Sequence, residues 1–284
     1  MTDVAQRNAE QVEYWGGAGG ERWVAQQSRR DAMLGNFAAK ALMRAMPSPG
    51  EMVLDVGCGC GETAAMLADA VAPTGKVTGV DVSRPILAAA RERLAGHPDV
   101  QLIHADAASY PFPAASFDLI FSRFGVMFFA DPVAAFTNLR RAIKPDGRLV
   151  FVCWRSPAEN GWMTAPMRAT ADLLPAAVPV DPGQPGPFAF QEQEKVADVL
   201  VRAGFANPVF ERLDTLVDVA GGRGCQAAVE SAMELGPTAR ALDGADELLR
   251  ATIAERLRTF FAPKVKKGAV HLPAATWIVT ANAQ

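Results

Sequence analysis

Cysteine, histidine and net charge are scarce in this 284-residue chain, and each scarcity excludes a class of protein. Four cysteines do not make a disulfide framework at this size, and no histidine, cysteine and carboxylate group has metal-site spacing. A formal net charge of −3 gives no general attraction to phosphate backbones or anionic lipid. We therefore expect no metal, no nucleic-acid partner and no membrane partner.

Long apolar runs are also missing. No segment has the length needed to cross a bilayer, and the first residues, MTDVAQRNAEQ, lack the layout of a secretion signal. These features predict a cytoplasmic protein, while the sequence leaves open whether it is a monomer or a homodimer. Half of the residues are hydrophobic, which is enough for a sizeable core.

Short apolar runs alternate with helical patterns from residue 50 to about 154, as in a parallel sheet with crossover helices. The predicted strands are MVLDV, KVTGVDV, VQLIHAD, FDLIFSR and RLVFVCW. Ser83 and Pro85 suit the start of the helix after the second strand. The ligands of such a doubly wound sheet bind beyond the carboxyl ends of its strands.

The flanking regions are less regular. Residues 19–46 have a helical pattern, and residues 155–190, rich in proline and glycine, are predicted to be a long loop. QEKVADVLVRAGF predicts a helix ended by Gly204, followed by extended VFERLDTLVDV. Two more helical patterns lie within residues 222–261, and ATWIVTA is a predicted closing strand.

The turn after the first strand contains Gly57, Gly59 and Gly61 in the spacing GxGxG. A dinucleotide fingerprint, GxGxxG, has its last glycine where this chain has Glu62. Glu62 and Asp55 would place carboxylates beside a pyrophosphate and repel it. A ligand with an ammonium group and a carboxylate, such as the amino-acid end of S-adenosylmethionine, suits the turn better. For Asp55, cofactor contact and a capping or water-bound role both stay open.

Cys58 and Cys60 occupy the two x positions of GxGxG. Two thiols at this spacing could bind a metal ion or form a redox couple. No partner ligands lie nearby in the sequence, so we interpret both as small side chains that the turn tolerates.

Two further acids lie at strand ends. Asp81 closes the second strand, where a carboxylate can accept hydrogen bonds from both hydroxyls of a ribose. Asp106, expected to end the third strand, is placed to accept a hydrogen bond from an adenine amino group. With Asp55, the two acids would face one crevice. The side chains of Val82 and Ile86 are expected to pack on the base.

Four segments resemble the class I S-adenosylmethionine-dependent methyltransferases, close to the quinone-biosynthesis C-methyltransferase group: LDVGCGCGE, VTGVDVS, HADAASYPFPAASFDLIFSR and LRRAIKPDGRLVF. The resemblance implies an α/β fold with a doubly wound seven-stranded sheet, in the order 3-2-1-4-5-7-6, and helices on both faces. Extra N-terminal helices and a helical insertion before the last strand depart from the common pattern. S-adenosyl-L-methionine is the implied cofactor and S-adenosyl-L-homocysteine its product.

The same resemblance implies roles for single residues. Gly57 and Gly59 contact the amino-acid part of the cofactor, and Asp106 and Ala107 hold the adenine. Ser122, expected just after the fourth strand, offers its carbonyl to the cofactor's amino group. The complete set of expected cofactor contacts is Asp55, Gly57, Cys58, Gly59, Asp81, Val82, Asp106, Ala107 and Ser122.

The acceptor site is expected beneath segments that cover the crevice. We predict an N-terminal helical segment, 1–46, and a cofactor-binding domain, 47–284, in which residues 155–190 and 220–262 cover the substrate. Their apolar and aromatic content favours a small hydrophobic or aromatic acceptor. The candidate substrate contacts are Trp15, Arg123, Met127 and Phe128.

Alternatives stay open at these positions. Residues 124–129, FGVMFF, suit either an apolar wall or core packing, and Arg123 could bind an acidic substrate or pair with Asp131. No catalytic residue is evident; Tyr14, through cation–π attraction to a sulfonium, and His271, as a base, are candidates.

The predicted reaction transfers a methyl group to an O, N or C nucleophile of a small molecule. A base is needed only if the nucleophile keeps a proton that it cannot lose unaided. The alternatives are a regulatory protein that binds S-adenosylmethionine without catalysis and, less favoured by the turn, a nucleotide-dependent oxidoreductase.

Overall fold

The computed structural model describes residues 2–174, 184–234, 236–242 and 244–283. Three helices precede the sheet: α1 (Thr2–Gly16), α2 (Ala18–Ala25) and α3 (Gln27–Ala45). The elements that follow are β1 (Met52–Val56), α4 (Glu62–Val71), β2 (Lys76–Asp81), α5 (Arg84–Arg93), β3 (Val100–His104), β4 (Phe117–Arg123), α6 (Pro132–Ala142), β5 (Ile143–Trp154), α7 (Gly161–Ala169), α8 (Gln193–Arg202), β6 (Phe205–Asp218), α9 (Gly224–Glu234), α10 (Gly236–Ala241), α11 (Glu247–Phe261) and β7 (His271–Ala283).

The seven strands form one sheet in the order β3-β2-β1-β4-β5-β7-β6, which confirms the predicted order. Strands β1 to β5 are parallel, and β7 runs antiparallel to both β5 and β6. Asp55 pairs in register with Gly79, and Asp81 with His104. The carboxyl ends of β1, β2 and β3 therefore share one edge of the sheet, where a ligand of this fold binds.

Helix α3 is part of the main hydrophobic core. The side chains of Phe37, Ala41 and Ala45 are fully buried, and the Phe37 ring meets the Trp154 ring edge-on at 5.3 Å. The guanidinium of Arg148 in β5 donates hydrogen bonds to the carbonyls that end α3, with Nε 2.6 Å from the Ala45 oxygen. The N-terminal segment predicted over 1–46 thus shares its core with the sheet.

Two buried glycines bring α2 close to the body of the protein. A Cβ on Gly20 would lie 2.6 Å from the Ser83 hydroxyl at the start of α5, and one on Gly19 would lie 2.6 Å from the Tyr14 ring. A larger residue at Gly20 would push α2 away from α5 and from the end of α1, and one at Gly19 would push α2 away from Tyr14.

Several predicted elements differ from the structure. The helical pattern begins at Thr2 rather than at residue 19, and the insertion before β7 contains three helices rather than two among the described residues. The predicted long loop includes α7, while residues 175–183 of it lie outside the described residues. Helix α7 contains Pro166, and its start is fixed to β7 because the buried Asn160 amide exchanges two hydrogen bonds of 3.0 Å with the Ala275 backbone.

Candidate functional site

The turn between β1 and α4 adopts a conformation that favours glycine at three positions. Gly57, Gly59 and Gly61 have φ values of +67°, +56° and +84°. A Cβ on Gly57 would also lie 2.8 Å from the Cα of Gly125, in the loop after β4, so the two backbones touch there. The turn is held against β2 by the Gly57 N–H, which donates to the Val80 carbonyl at 2.9 Å.

The two thiols of this turn are buried and free. Burial raises the pKa of Cys60 to about 11 and raises the pKa of Cys58 as well, so both stay protonated at neutral pH. The described residues contain no group of three or more histidine, cysteine or acidic side chains that could hold a metal ion. A reactive thiolate needs the opposite, a lowered pKa, and the structure therefore favours a packing role.

Asp55 lies wholly buried beneath the turn. Its Oδ2 accepts a hydrogen bond of 2.6 Å from the Thr63 hydroxyl, whereas its Oδ1 has no hydrogen-bond partner in the described part of the chain. Loss of hydration raises the pKa of Asp55 to about 7. The carboxylate supports the turn from below, through α4.

This raised pKa predicts a pH-dependent stability. Because the folded pKa exceeds that of an unfolded aspartate, the stability associated with protonated Asp55 is complete below the unfolded pKa and is lost as pH rises through about 7. Each unit of difference corresponds to about 1.4 kcal/mol. Asp55→Asn should therefore gain stability over the wild type progressively from pH 4 to pH 8, as measured by urea denaturation. A stability difference that stays flat across this range would contradict the assignment.

Asp81 at the end of β2 fixes the other side of the turn. Its two carboxylate oxygens accept hydrogen bonds from the Gly59 N–H at 3.1 Å and the Ser83 N–H at 2.9 Å. Burial raises its pKa, although these backbone donors oppose the shift. The carboxylate is thus held in one orientation at the edge of the crevice, joining β2, the glycine turn and α5.

Asp106 lies two residues beyond β3 rather than at its end. Its Oδ1 accepts a hydrogen bond from the Ala108 N–H, and its Oδ2 accepts one from the Asn8 amide of α1, both at 2.9 Å. Ala107 is buried, and the Val82 carbonyl lies 2.9 Å from the His104 ring. The contact from Asn8 was not predicted.

Ser122 belongs to β4 instead of following it. Its hydroxyl donates to the Val56 carbonyl at 2.7 Å and accepts from the Gly125 N–H at 3.2 Å. The side chain therefore joins the end of β1 to the loop after β4, directly under the Gly57–Gly125 contact.

A pocket lies between the glycine turn and α3. Helix α3 contributes four side chains at the spacing i, i+3, i+4 and i+7, which places them on one face. That spacing could have indicated one helix face from the sequence, within the helical pattern predicted for residues 19–46, although three of the four side chains are polar. The lining residues are Trp23, Gln27, Arg30, Asp31, Leu34, Gly57, Cys58, Gly59, Cys60, Glu62, Thr63, Arg123 and Phe124.

Arg123 and Glu62 form an ion pair on one wall of this pocket. The pairing of Arg123 with Asp131 considered above is wrong, because Asp131 caps α6 by accepting from the Ala134 N–H at 3.0 Å. Since Arg123 compensates Glu62 and Asp55 is partly protonated near pH 7, the electrostatic objection to a diphosphate ligand is weaker than the sequence indicated.

Arg30 lines the pocket and has a hydrogen-bond donor without a partner among the described residues. Its guanidinium stacks on the Trp23 ring, 3.7 Å from the centroid, and its buried Nη1 has no hydrogen-bond partner in the described residues. Desolvation lowers its pKa to about 10, which leaves it charged at neutral pH. Asp31, its neighbour in the pocket, pairs with Arg93 of α5. A buried cation of this kind suits an anionic ligand group.

An aromatic cluster stands beside the pocket. The Trp15 ring meets the rings of Tyr14, Trp23 and Phe128 edge-on, at centroid distances of 5.2, 5.5 and 5.2 Å. Tyr14 also lies against the Arg240 guanidinium, 5.5 Å from the ring centroid. The cluster brings α1, α2 and the loop after β4 together, and the role of Trp15 and Phe128 as substrate contacts stays a prediction.

Two other candidate site residues, Met127 and His271, lie away from this pocket. Met127 is buried, and its sulfur accepts a hydrogen bond from the Trp154 N–H at 3.4 Å, a packing role. His271 is exposed at the start of β7, opposite Asp218 of the edge strand β6. Neither lines the pocket beside the glycine turn.

Comparison with known proteins identifies the central region. Residues 53–147, which include the glycine turn and both Asp81 and Asp106, match a family described as a methyltransferase domain. The central region thus resembles methyltransferase domains. Over 101 residues, 36% of this chain, the sequence is 40% identical to demethylmenaquinone methyltransferase from Staphylococcus aureus strain JH9. The match covers 42% of that protein, so the chain spans less than half the length of this curated relative.

Solved structures share the fold of this methyltransferase domain and its surroundings. A methyltransferase-like protein from Bacillus halodurans superposes with a TM-score of 0.56 at 20% identity, covering 88% of this chain and 99% of that one. Phosphoethanolamine N-methyltransferase 2 of Haemonchus contortus, solved with S-adenosylhomocysteine, gives a TM-score of 0.53 at 19% identity, covering 88% and 53%. At these identities the likeness establishes the fold.

Proposed function

We propose that the chain is an enzyme that transfers the methyl group of S-adenosylmethionine to an O, N or C nucleophile of a small hydrophobic or aromatic molecule. The observation that carries this proposal is the geometry at the methyltransferase domain's sheet edge. Beside the glycine turn, the fixed carboxylate of Asp81 and the unpartnered Nη1 of Arg30 complement a ribose and an amino-acid carboxylate.

The residues present fit the cofactor chemically. Asp81 can accept from ribose hydroxyls, and Asp106 can accept from an adenine amino group. Arg30 can donate to a carboxylate, and its burial strengthens that charge-assisted bond. Three ligand groups of different chemistry thus each have a matching protein group along the crevice.

The cofactor, when bound, supplies a methyl group already activated as a sulfonium. What the protein adds is alignment, because positioning can contribute about 7–11 kcal/mol in favourable model reactions. The rings of Trp15 and Phe128, which pack against each other beside the pocket, are the aromatic groups that could attract a cation. The pocket walls contain no histidine, which suits an acceptor that loses its proton unaided.

Arg30→Ala tests whether the cofactor's carboxylate binds at this guanidinium. We expect affinity for S-adenosylhomocysteine to fall by about 1.5–3 kcal/mol, the range for a hydrogen bond to a charged group. Affinity for 5′-methylthioadenosine, which lacks the amino-acid group, should not change. Both are measured by calorimetry. Arg29→Ala is the matched control, since Arg29 pairs with Glu230 and Glu234 outside the pocket. Equal losses for both ligands would contradict the assignment.

The acceptor is tested by incubation with methyl-labelled cofactor and a panel of phenols, amines and quinols. We include quinols because the curated relative is a demethylmenaquinone methyltransferase. Binding of S-adenosylhomocysteine without transfer to any acceptor would favour the regulatory alternative. Tight binding of NADH, followed by fluorescence, would favour the oxidoreductase.

A further inference from the structure

Helix α1 reaches the predicted adenine end of the crevice through one side chain. The Asn8 amide donates to Oδ2 of Asp106 at 2.9 Å, across a sequence separation of 98 residues. The Ala108 N–H donates to Oδ1 of the same carboxylate at 2.9 Å. With one donor on each oxygen, the Asp106 carboxylate cannot rotate without breaking a hydrogen bond.

Asn8 belongs to the inward face of α1. Val4, Asn8, Gln11 and Trp15 are all partly buried and follow the spacing i, i+4, i+7 and i+11 of one helix face, whereas Gln6 is exposed. Trp15 anchors the carboxyl-terminal end of this face against Phe128. Seven residues, about 10 Å of helix, separate Trp15 from Asn8. Helix α1 therefore lies along the edge of the sheet, from the aromatic cluster to Asp106.

We propose that Asn8 is a positioning residue for adenine recognition, which holds the Asp106 carboxylate in the orientation that accepts a hydrogen bond from the adenine amino group. This inference rests on the proposed function. Each carboxylate oxygen can accept a second hydrogen bond, so the Asn8 and Ala108 donors leave acceptor sites for the base. Without Asn8, ligand binding has to order the carboxylate itself, which weakens affinity by about two- to tenfold.

A double-mutant cycle tests the proposal. Calorimetry with S-adenosylhomocysteine and with S-inosylhomocysteine is carried out on the wild type, Asn8→Ala, Asp106→Ala and the double variant. The inosine base has a carbonyl in place of the amino group, so it has no exocyclic N–H to donate to Asp106 and presents an acceptor there instead. Gln6→Ala, on the exposed face of α1, is the matched control for a change within the helix.

We expect Asn8→Ala to weaken S-adenosylhomocysteine binding by about two- to tenfold and to leave S-inosylhomocysteine binding unchanged. In the Asp106→Ala background, Asn8→Ala should have no further effect. Equal weakening in both backgrounds, or for both ligands, would mean that Asn8 only holds α1 in place. Tighter or unchanged binding by Asn8→Ala would also overturn the proposal. A wild type that binds no S-adenosylhomocysteine would refute the proposed function itself.

Discussion

Gly57→Ala should abolish measurable binding of S-adenosylhomocysteine and lower the free energy of unfolding by about 2–5 kcal/mol. About 1–2 kcal/mol comes from placing a side chain at φ +67°. A further 1–3 kcal/mol, roughly, comes from overpacking, since the new Cβ would lie 2.8 Å from the Gly125 Cα. The contact is backbone against backbone, so the glycine turn or the loop after β4 must shift.

Gly59→Ala is the matched comparison within the same turn. Its φ of +56° carries a similar conformational cost, but the nearest heavy atom to its Cβ is Nε1 of Trp23, at 3.8 Å. We expect only the 1–2 kcal/mol or so of the left-handed conformation, with binding that is weakened and still measurable. Urea denaturation measures the stability of both variants, and calorimetry measures their affinity for S-adenosylhomocysteine. Equal effects would show that the approach of Gly57 to Gly125 has no structural importance.

Asp81→Ala should weaken S-adenosylhomocysteine binding by about 1.5–3 kcal/mol for the lost charged acceptor alone. A further loss is expected because the Gly59 and Ser83 N–H groups lose the carboxylate that orients the turn. To separate the two causes, the 2′-deoxy analogue of the ligand is measured in parallel. If Asp81 binds the ribose, the variant discriminates less between the two ligands than the wild type does.

Asp69→Ala serves as the control for Asp81→Ala. Asp69 is an exposed aspartate of α4 whose carboxylate lies 3.8 Å from the His97 ring. Its removal should leave affinity for both ligands unchanged. Wild-type affinity in Asp81→Ala would remove this residue from the cofactor site.

The sheet and its strand-end acids could be predicted because their signals are local. Gly57, Gly59 and Asp81 follow directly from the ends of apolar runs, and parallel pairing brings such ends to one edge. The ion-pair partner of Arg123 and the residue at which α7 begins could not be predicted in the same way. Arg123 selects Glu62, 61 residues away, over the nearby Asp131, a choice that depends on packing in three dimensions.

The contacts that α1 and α3 make with the sheet could not be predicted either. Arg30 belongs to a face of α3 with helical spacing, yet nothing in the spacing shows that this face meets the glycine turn. Asn8 lies 98 residues from its partner, Asp106, in a segment predicted to be helical but with no predicted contact to the sheet. Contacts between a flanking helix and the sheet are set by tertiary packing, which one sequence does not display.

The position of α3 has a consequence for biosynthesis. Its carboxyl-terminal end is held by Arg148, which follows Ala45 by 103 residues. At a translation rate of roughly 5–20 residues per second, α3 is synthesised about 5–20 s before that arginine is made. During this interval the apolar side of α3, with Phe37 at its centre, has no β5 to cover it. The pocket wall that contains Arg30 is therefore assembled late, and the nascent chain is exposed to aggregation or chaperone capture until β5 has been synthesised.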